Sequence, residues 1–367
     1  MITPSAQQDA ALKAVSKWLK KNRGQKPWFY LGGFAGTGKT TLAKRIAEDV
    51  KGKVTFGAFT GKAALVLRSK GCEHASTIHS MIYKPREDVP GVTEFVINRE
   101  SHIRSSALVI IDEVSMVGED LGKDLLSFGV PVLVLGDPGQ LPPVKSEGFF
   151  TKHEPDFMLT DVHRQAAENP IIRMSMDIRE GRAVGFGAYG ESRVIPTGII
   201  GRKEVLAADQ VLCGLNRTRT ENNQKIRRLK GIDSFWPTVG ERIVCLKNNR
   251  DKGLLNGGLW EVAKIVDSDD EAIIMIVLPI DAGMVQQGVE VTVHRAFFEG
   301  TERELPWYER ARFDEFDFGY ALTVHKAQGS QWDDVIVFDE SRSFRADHAR
   351  WLYTAVTRAA EKVTVVR

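Results

Sequence analysis

Three cysteines in 367 residues, Cys72, Cys213 and Cys245, are too few and too scattered for a disulfide framework, and no CxxC pair offers zinc a ligand set. A reducing compartment is the expectation. Long apolar runs are missing as well: nowhere do about 18 uncharged apolar residues stand together. The stretch Met1 to Asp9 lacks the basic start and apolar core of a secretory leader. No membrane partner is expected, and the location expected is cytoplasmic. Charge of one sign is not in excess either, with Lys plus Arg at 50 and Asp plus Glu at 48. A nucleic-acid partner must then be met by a local groove and not by a uniformly basic surface. Internal repeats and low-complexity tails are absent. What remains is ordinary globular composition, with length for two or three domains.

Apolar runs of strand length recur at Trp28 to Leu31, Val54 to Phe59, Leu108 to Ile111 and Val130 to Leu135, with crossover-length segments between them. That alternation predicts a parallel sheet covered on both faces. Before it, Ala11, Leu12, Val15, Trp18 and Leu19 mark an amphipathic helix with lysines on its other face, which solvation explains. After Phe157 a second βα region begins, with a strand at Gln210 to Cys213. From Gly240 to about Asp314 the texture changes to short β-branched runs broken by turns such as Asn256-Gly257-Gly258, which predicts a small antiparallel barrel. The expected division is 1–154 for a first α/β domain with a hairpin insertion at 84–104. A second α/β domain takes 155–239 plus 315–367, and the barrel takes 240–314.

Gly33-Phe-Ala-Gly36-Thr37-Gly38-Lys39-Thr40 is a complete GxxxxGK[ST] loop between a strand and the helical run beginning at Thr41. Its glycines let successive backbone N–H groups turn toward phosphates, and the following helix adds the positive end of its dipole. Lys39 is the cation for the β- and γ-phosphates, and Thr40 is a ligand for Mg2+. Asp112 and Glu113 end the buried run Leu108 to Ile111, where open α/β sheets bind ligands. Asp112 suits the Mg2+ shell and Glu113 the activation of water, while Gln140, after Leu135-Gly-Asp137, can contact the γ-phosphate or that water. ATP and Mg2+ are the expected cofactors.

In order along the chain, these segments resemble the superfamily 1 helicases. Ser5-Ala-Gln-Gln8 resembles the family's adenine-reading glutamine motif, with Gln7 an alternative register. Phe59-Thr60-Gly-Lys62 and Ser76-Thr77-Ile-His79 resemble its two DNA-touching motifs, and Asp112 to Met116 and Gly136 to Val144 its motifs II and III. Val162-His-Arg164-Gln resembles motif IV. Cys213-Gly-Leu-Asn216 resembles the family's strand end before a helix carrying Asn223 and Arg227. Thr323-Val-His325-Lys-Ala-Gln328-Gly329 resembles motif V and Tyr353 to Ala359 motif VI, with Arg358 as arginine finger. The Asp-Glu-Val-Ser-Met and His-Lys-Ala-Gln-Gly wording is similar to the branch of RecD and of the small phage helicase Dda, which moves 5′ to 3′.

The resemblance implies two RecA-like domains and an ATP-driven motor that walks on single-stranded DNA and opens forked duplex. It also implies a monomer, bacterial or phage-encoded, with replication, repair or recombination proteins as partners. Lys39, Asp112, Glu113, Gln140, Arg164 and Arg358 would be catalytic. Gln8, Gly33, Gly36, Thr37, Gly38, Thr40, Thr41, Gln328 and Gly329 would contact the nucleotide, and Thr60, Lys62, Thr77, His79, Phe95, Asn216, Thr323 and His325 the DNA. Phe95 is expected at the aromatic tip of a duplex-splitting hairpin. A GTPase or kinase is disfavoured because no Asn-Lys-x-Asp motif appears. An ATP-gated clamp that does not translocate has the same contacts as a motor and stays open as the alternative.

Overall fold

The computed structural model describes residues 4–22, 26–89, 92–143, 147–161, 169–249, 251–280 and 287–367. The chain falls into two compact units, Met1–Arg179 and Glu180–Arg367. In the first, a six-stranded sheet has the order β3-β2-β6-β7-β1-β8, and every pairing in it is parallel. Its strands are β1 (Trp28–Gly33), β2 (Val54–Ala58), β3 (Ser76–Thr77), β6 (Leu108–Asp112), β7 (Val132–Gly136) and β8 (Phe157–Leu159).

Pleating sends successive side chains to opposite faces. Leu31, Ile110, Leu133 and Leu135 meet Ala11, Val15, Leu42 and Ile46 of α1 (Ala6–Lys17) and α2 (Lys39–Asp49) on one side. Tyr30, Val109, Ile111, Val132 and Val134 meet Ile78, Met81 and Ile82 on the other. Two covered faces explain why these strands are apolar throughout rather than alternating. Helix α1 runs into a π-helical turn, Trp18–Asn22, where the Trp18 indole donates to the Lys26 carbonyl at 2.8 Å.

β4 (Tyr83–Val89) and β5 (Val92–Ile97) form a separate antiparallel hairpin within the stretch where an insertion at 84–104 was expected; Pro90 and Gly91 lie outside the described residues. The Tyr83 hydroxyl, bonded to Asp124 of α5 (Glu119–Leu126), ties its base to the unit. Phe95, expected at the aromatic tip, does not stand there. It pairs with Pro85, three positions back from the Val89–Val92 pair, and its ring rests against His79 with centroids 4.6 Å apart.

The first domain is expected to end at 154, whereas the first compact unit runs to Arg179. β8 is a short edge strand beside β1, and Arg179, at the end of the helix Pro170–Arg179, lies over the Phe34 ring at 3.6 Å. Three residues of strand carry too little periodicity to be assigned to a sheet from sequence.

In the second unit the order is β17-β11-β18-β19-β10-β9, parallel except for the β9–β10 pair. Here β9 is Gly187–Tyr189, β10 Ser192–Ile195, β11 Gln210–Cys213, β17 Ala321–Thr323, β18 Trp332–Phe338 and β19 Ala359–Val366. Between β11 and β17 the chain forms a five-stranded antiparallel sheet, β15-β14-β13-β12-β16. Its strands are β12 (Arg242–Cys245), β13 (Leu259–Ser268), β14 (Ala272–Pro279), β15 (Val289–His294) and β16 (Phe316–Phe318). The Asp314 N–H donates to the Thr292 carbonyl at 2.8 Å, so the chain entering β16 returns to the opposite edge strand. The insertion therefore reaches Phe318 and not 314.

Cys213 and Cys245 are buried and unpaired, and burial pushes both thiols up to about 12, which leaves them unreactive. The inserted sheet is fastened by Arg227, whose Nε and a terminal nitrogen donate to the two Glu241 oxygens at 2.8 and 3.0 Å while both side chains are almost fully buried. Glu241 also accepts from Thr238 N–H and from the Tyr320 hydroxyl. Arg227→Ala leaves a buried carboxylate without its counter-ion, so urea unfolding should show a loss of about 3–5 kcal/mol.

Candidate nucleotide and DNA sites

The phosphate loop stands at the carboxyl end of β1, and α2 starts at its last glycine. Gly36 and Gly38 have φ of 78° and 80°, a left-handed backbone that side-chain-bearing residues rarely adopt. A Cβ on Gly33 would come within 2.7 Å of Thr37 Oγ1 and 3.0 Å of Lys39 Cγ, so the hollow of the loop exists only because that position is bare. Lys39 Nζ lies across it, donating to the carbonyls of Gly33 and Phe34 at 2.6 and 3.1 Å. Thr37 is buried with its hydroxyl committed to Phe34 O at 2.8 Å, so it braces the loop, while Thr41 is exposed at the start of α2.

Gln8 is buried. Its Nε2 donates to the Thr37 carbonyl at 3.1 Å and its Oε1 accepts from Ser5 N–H, closing a capping box at the start of α1. Gln7 does different work, its amide oxygen accepting from Thr160 and Asp161 N–H after β8 at 2.9 and 2.8 Å. Of the two registers, the glutamine joined to the loop is Gln8.

β6 is two strands from β1 and shares β7 with it, which sets Asp112 beside the loop. Asp112 Oδ2 accepts from the Thr40 hydroxyl at 2.9 Å and Oδ1 from Glu113 N–H at 2.9 Å. Burial, and then the neighbouring Glu113 charge, raise the Asp112 carboxyl above its ordinary range. A divalent cation would remove that cost. A threonine hydroxyl and a carboxylate already 2.9 Å apart are the oxygen donors that Mg2+ takes, so the residues present fit it. Glu113 has φ 54° and ψ 49°, a left-handed conformation costly for a side-chain-bearing residue and concentrated at functional sites. Sequence gives no signal for that strain. Gln140 follows β7, with its N–H bonded to Asp137 O at 3.1 Å; its buried Oε1 has no partner among the described residues. A buried acceptor left open beside a phosphate loop suits a bound water or phosphate oxygen.

Of the DNA residues expected in the first unit, Thr60, Lys62, Thr77 and His79 stand at or just after the carboxyl ends of β2 and β3, and Phe95 stands on β5. Thr60 caps α3 (Gly61–Ser69) by accepting from Ala63 N–H at 3.1 Å, and Thr77 caps α4 (Ile78–Ile82) by accepting from Ser80 N–H at 3.1 Å. Both hydroxyls thus serve the helices; Gly61, Lys62 and Ala63 of the first α3 turn are buried, and α4 begins with buried Ile78 followed by half-buried His79 and Ser80. Lys62 is buried on α3, and His79 is sandwiched between Tyr83 and Phe95, at 4.7 and 4.6 Å.

In the second unit, Thr323 ends β17 and accepts from Lys326 N–H at 3.4 Å, and Gly329 has φ 75°. Burial lowers the His325 imidazole; burial and the Arg219 charge bring Lys326 down to about 8. Gln328 is buried. Asn216 is exposed as the first residue of the helix Asn216–Leu229. Arg358 is buried, with its guanidinium on the carbonyls of Thr354 and Ser330 at 3.1 and 3.2 Å and on the Thr357 hydroxyl at 3.2 Å. Those partners orient the cation without neutralising it. Arg164 lies outside the described residues. The sequence pattern did not single out Glu340, which holds the start of the Asn216 helix, or Arg179 over Phe34.

Residues 5–198 match the family model of an AAA domain, and residues 318–366 match that of a UvrD-like helicase C-terminal domain. The chain is similar to the ATP-dependent RecD2 DNA helicase of Deinococcus radiodurans, 30% identical over 366 residues, covering 90% of this chain and 46% of that protein. It is similar to the ATP-dependent DNA helicase dda of Enterobacteria phage T4, 33% identical over 196 residues, 48% of this chain and 42% of that one. Its fold is similar to that of Bacteroides Pif1 bound to ssDNA, with a TM-score of 0.56 at 18% identity, covering 99% of this chain and 92% of that one. The chain spans about half the length of the Deinococcus relative and 66% of the RecBCD enzyme subunit RecD of Mycobacterium tuberculosis.

Two substitutions separate binding from chemistry at the loop. Lys39→Ala should abolish ATP turnover while the melting temperature holds, because it changes a surface loop. Glu113→Gln should keep nucleotide binding in a fluorescent-analogue titration and stop hydrolysis, since an amide of the same shape cannot take up a proton. Turnover by folded Lys39→Ala, or lost binding in Glu113→Gln, would contradict these roles.

Proposed function

The chain belongs to the AAA-domain family and to the superfamily 1 helicases of RecD2, Pif1 and Dda type, and from that premise we propose that it is an ATP-dependent DNA helicase moving 5′ to 3′ on single strands. One observation carries the reading. A glycine loop, the Thr40–Asp112 pair, a left-handed Glu113 and the open Gln140 oxygen all stand at the carboxyl ends of three adjacent strands, β1, β6 and β7. Phosphoryl transfer to water needs that kit and little else.

In the proposed mechanism the loop N–H groups and Lys39 take the phosphates, and Gln8 reads the adenine. Thr40 and Asp112 would hold Mg2+, which when bound would offset phosphate charge. Glu113 draws the proton from the attacking water, and Gln140 aligns that water. Arg358 answers the charge that develops, and Gln328 and Gly329 follow the nucleotide state. Arg164 joins them on the resemblance alone.

The domains proposed are two RecA-like bodies, with the inserted antiparallel sheet closed into a small barrel and the β4–β5 hairpin acting as a pin on duplex. Thr60, Lys62, Thr77 and His79, at or just after the carboxyl ends of β2 and β3, contact the strand's phosphates; Asn216, Thr323 and His325 do so from the second body. Such contacts position a strand without reading bases, as a translocating protein requires. A monomer, with replication or recombination proteins as partners in the cytoplasm, completes the proposal. Among the described residues no helix is long and apolar enough to cross a membrane.

Strand displacement tests this. With ATP, a duplex bearing a 5′ tail should be separated and one bearing only a 3′ tail should not; the reverse preference would contradict the polarity, and ATP-dependent binding without separation would favour the clamp. In the same assay Phe95→Ala should unwind slowly while keeping DNA-stimulated ATPase, if the half-exposed ring beside His79 stacks on a base, an effect of ~1–3 kcal/mol. Loss of both together with a lower melting temperature would make Phe95 a packing residue of the His79 cluster.

A further inference from the structure

The stretch that follows β18 contains none of the residues assigned above. It opens with Glu340, whose carboxylate accepts from the N–H groups of Gly214 and Leu215 at 2.6 and 3.0 Å and from the Thr218 hydroxyl at 2.5 Å. The positive end of the Asn216–Leu229 helix is therefore already occupied by a protein carboxylate, and a DNA phosphate must find its cation elsewhere.

The next residues, Ser341–Asp347, form a 3-10 turn with a kink. Phe344 anchors it: its ring stacks on buried Trp351 with centroids 5.5 Å apart and lies 5.7 Å from His325 of the Thr323–Gln331 segment. Gly214 is bare where a Cβ would come within 2.7 Å of that ring. Immediately beyond the anchor, Arg345 has φ 47° and ψ −112°, a backbone conformation nearly closed to residues with a side chain. Strain of this kind persists only where the surroundings enforce it, and it gathers at functional sites.

Arg342 and Arg345 are exposed, and neither guanidinium has a carboxylate partner among the described residues. Acids are near in sequence but committed elsewhere. Asp339 pairs with Arg367, Glu340 holds the helix start, and Asp347 pairs with Arg350. Two uncommitted cations on a rigidly anchored, strained turn, beside both Asn216 and His325, are a backbone-phosphate site in the making.

We infer that the Ser341–Asp347 turn is a further contact for the phosphates of single-stranded DNA, with Arg342 and Arg345 as its cations. This rests on the helicase reading above. Phe344 and Trp351 also join the turn to the helix His348–Val356, which leads directly into Thr357 and Arg358. Strand contact at the turn is thus mechanically in series with Arg358, and the DNA concentration that half-saturates ATPase stimulation should rise when the cations are removed.

The test is anisotropy of a labelled oligothymidine, with a non-hydrolysable ATP analogue, across a range of salt concentrations. Each phosphate contact on a single strand contributes about 0.7 to the slope of log affinity against log salt. Arg342→Ala combined with Arg345→Ala should bind more weakly and flatten that slope by about 1.4, and Arg345→Gly by about half as much. Glycine accepts the observed backbone, so Arg345→Gly should melt no lower than the parent chain, and Arg345→Lys should restore the slope. Binding by the parent chain with unchanged affinity and slope in both variants would overturn the inference alone, as would a lowered melting temperature in Arg345→Gly. Failure of the parent chain to bind the oligonucleotide at all would overturn the functional reading beneath it.

Discussion

The hydrogen bond from the Thr40 hydroxyl to Asp112 Oδ2, 2.9 Å long, joins the first turn of α2 to the end of β6, and the catalytic reading depends on that juxtaposition. It is possible because the order β6-β7-β1 puts only one strand between the two elements. Parallel strands all deliver their carboxyl ends to one edge of a sheet, so the phosphate loop, both acids and Gln140 share that edge without any long loop to carry them. The apolar interior of β1, β6 and β7 buries both faces and fixes that spacing. Lys39, with its amine on loop carbonyls, and Asp112, with its carboxyl held above its usual range, suit an anion and a divalent cation.

The same edge continues outward to β2 and β3, where the strand contacts are proposed. Thr60 and Thr77 cap their own helices, so in the proposed reading the two helix starts, and not these hydroxyls, would meet a DNA strand. Backbone groups set by secondary structure recognise any phosphate alike, which suits movement along a strand of arbitrary sequence. In the second unit the comparable helix start is filled by Glu340, which moves the task of meeting phosphate to side-chain cations nearby.

Much of this was legible in the residues. The phosphate loop has an unambiguous spacing, the apolar runs marked β1, β6, β7 and β11, and the β-branched runs after Gly240 became four strands of the inserted sheet. Less legible were features that depend on partners distant in sequence. β8 has three residues and is a strand only because β1 offers an open edge, which is why the first unit runs to Arg179 rather than to 154. β16 joined the insertion because Gly319 lets the chain pass close to Ile243 before β17 begins. Phe95 lost its expected place at the tip to the hairpin register, which pairs it with Pro85. Backbone strain at Glu113 and Arg345 leaves no compositional trace at all.

A clamp and a motor would share every contact described, so the central claim is movement itself. Stopped-flow arrival kinetics measure it directly: single strands of increasing length carry a fluorophore at the 3′ end or at the 5′ end, and excess heparin traps chains that dissociate after ATP is added. The account predicts a delay before the 3′ signal that grows linearly with strand length, and an immediate, length-independent decay when the fluorophore is at the 5′ end. Length-independent kinetics at both ends would contradict it.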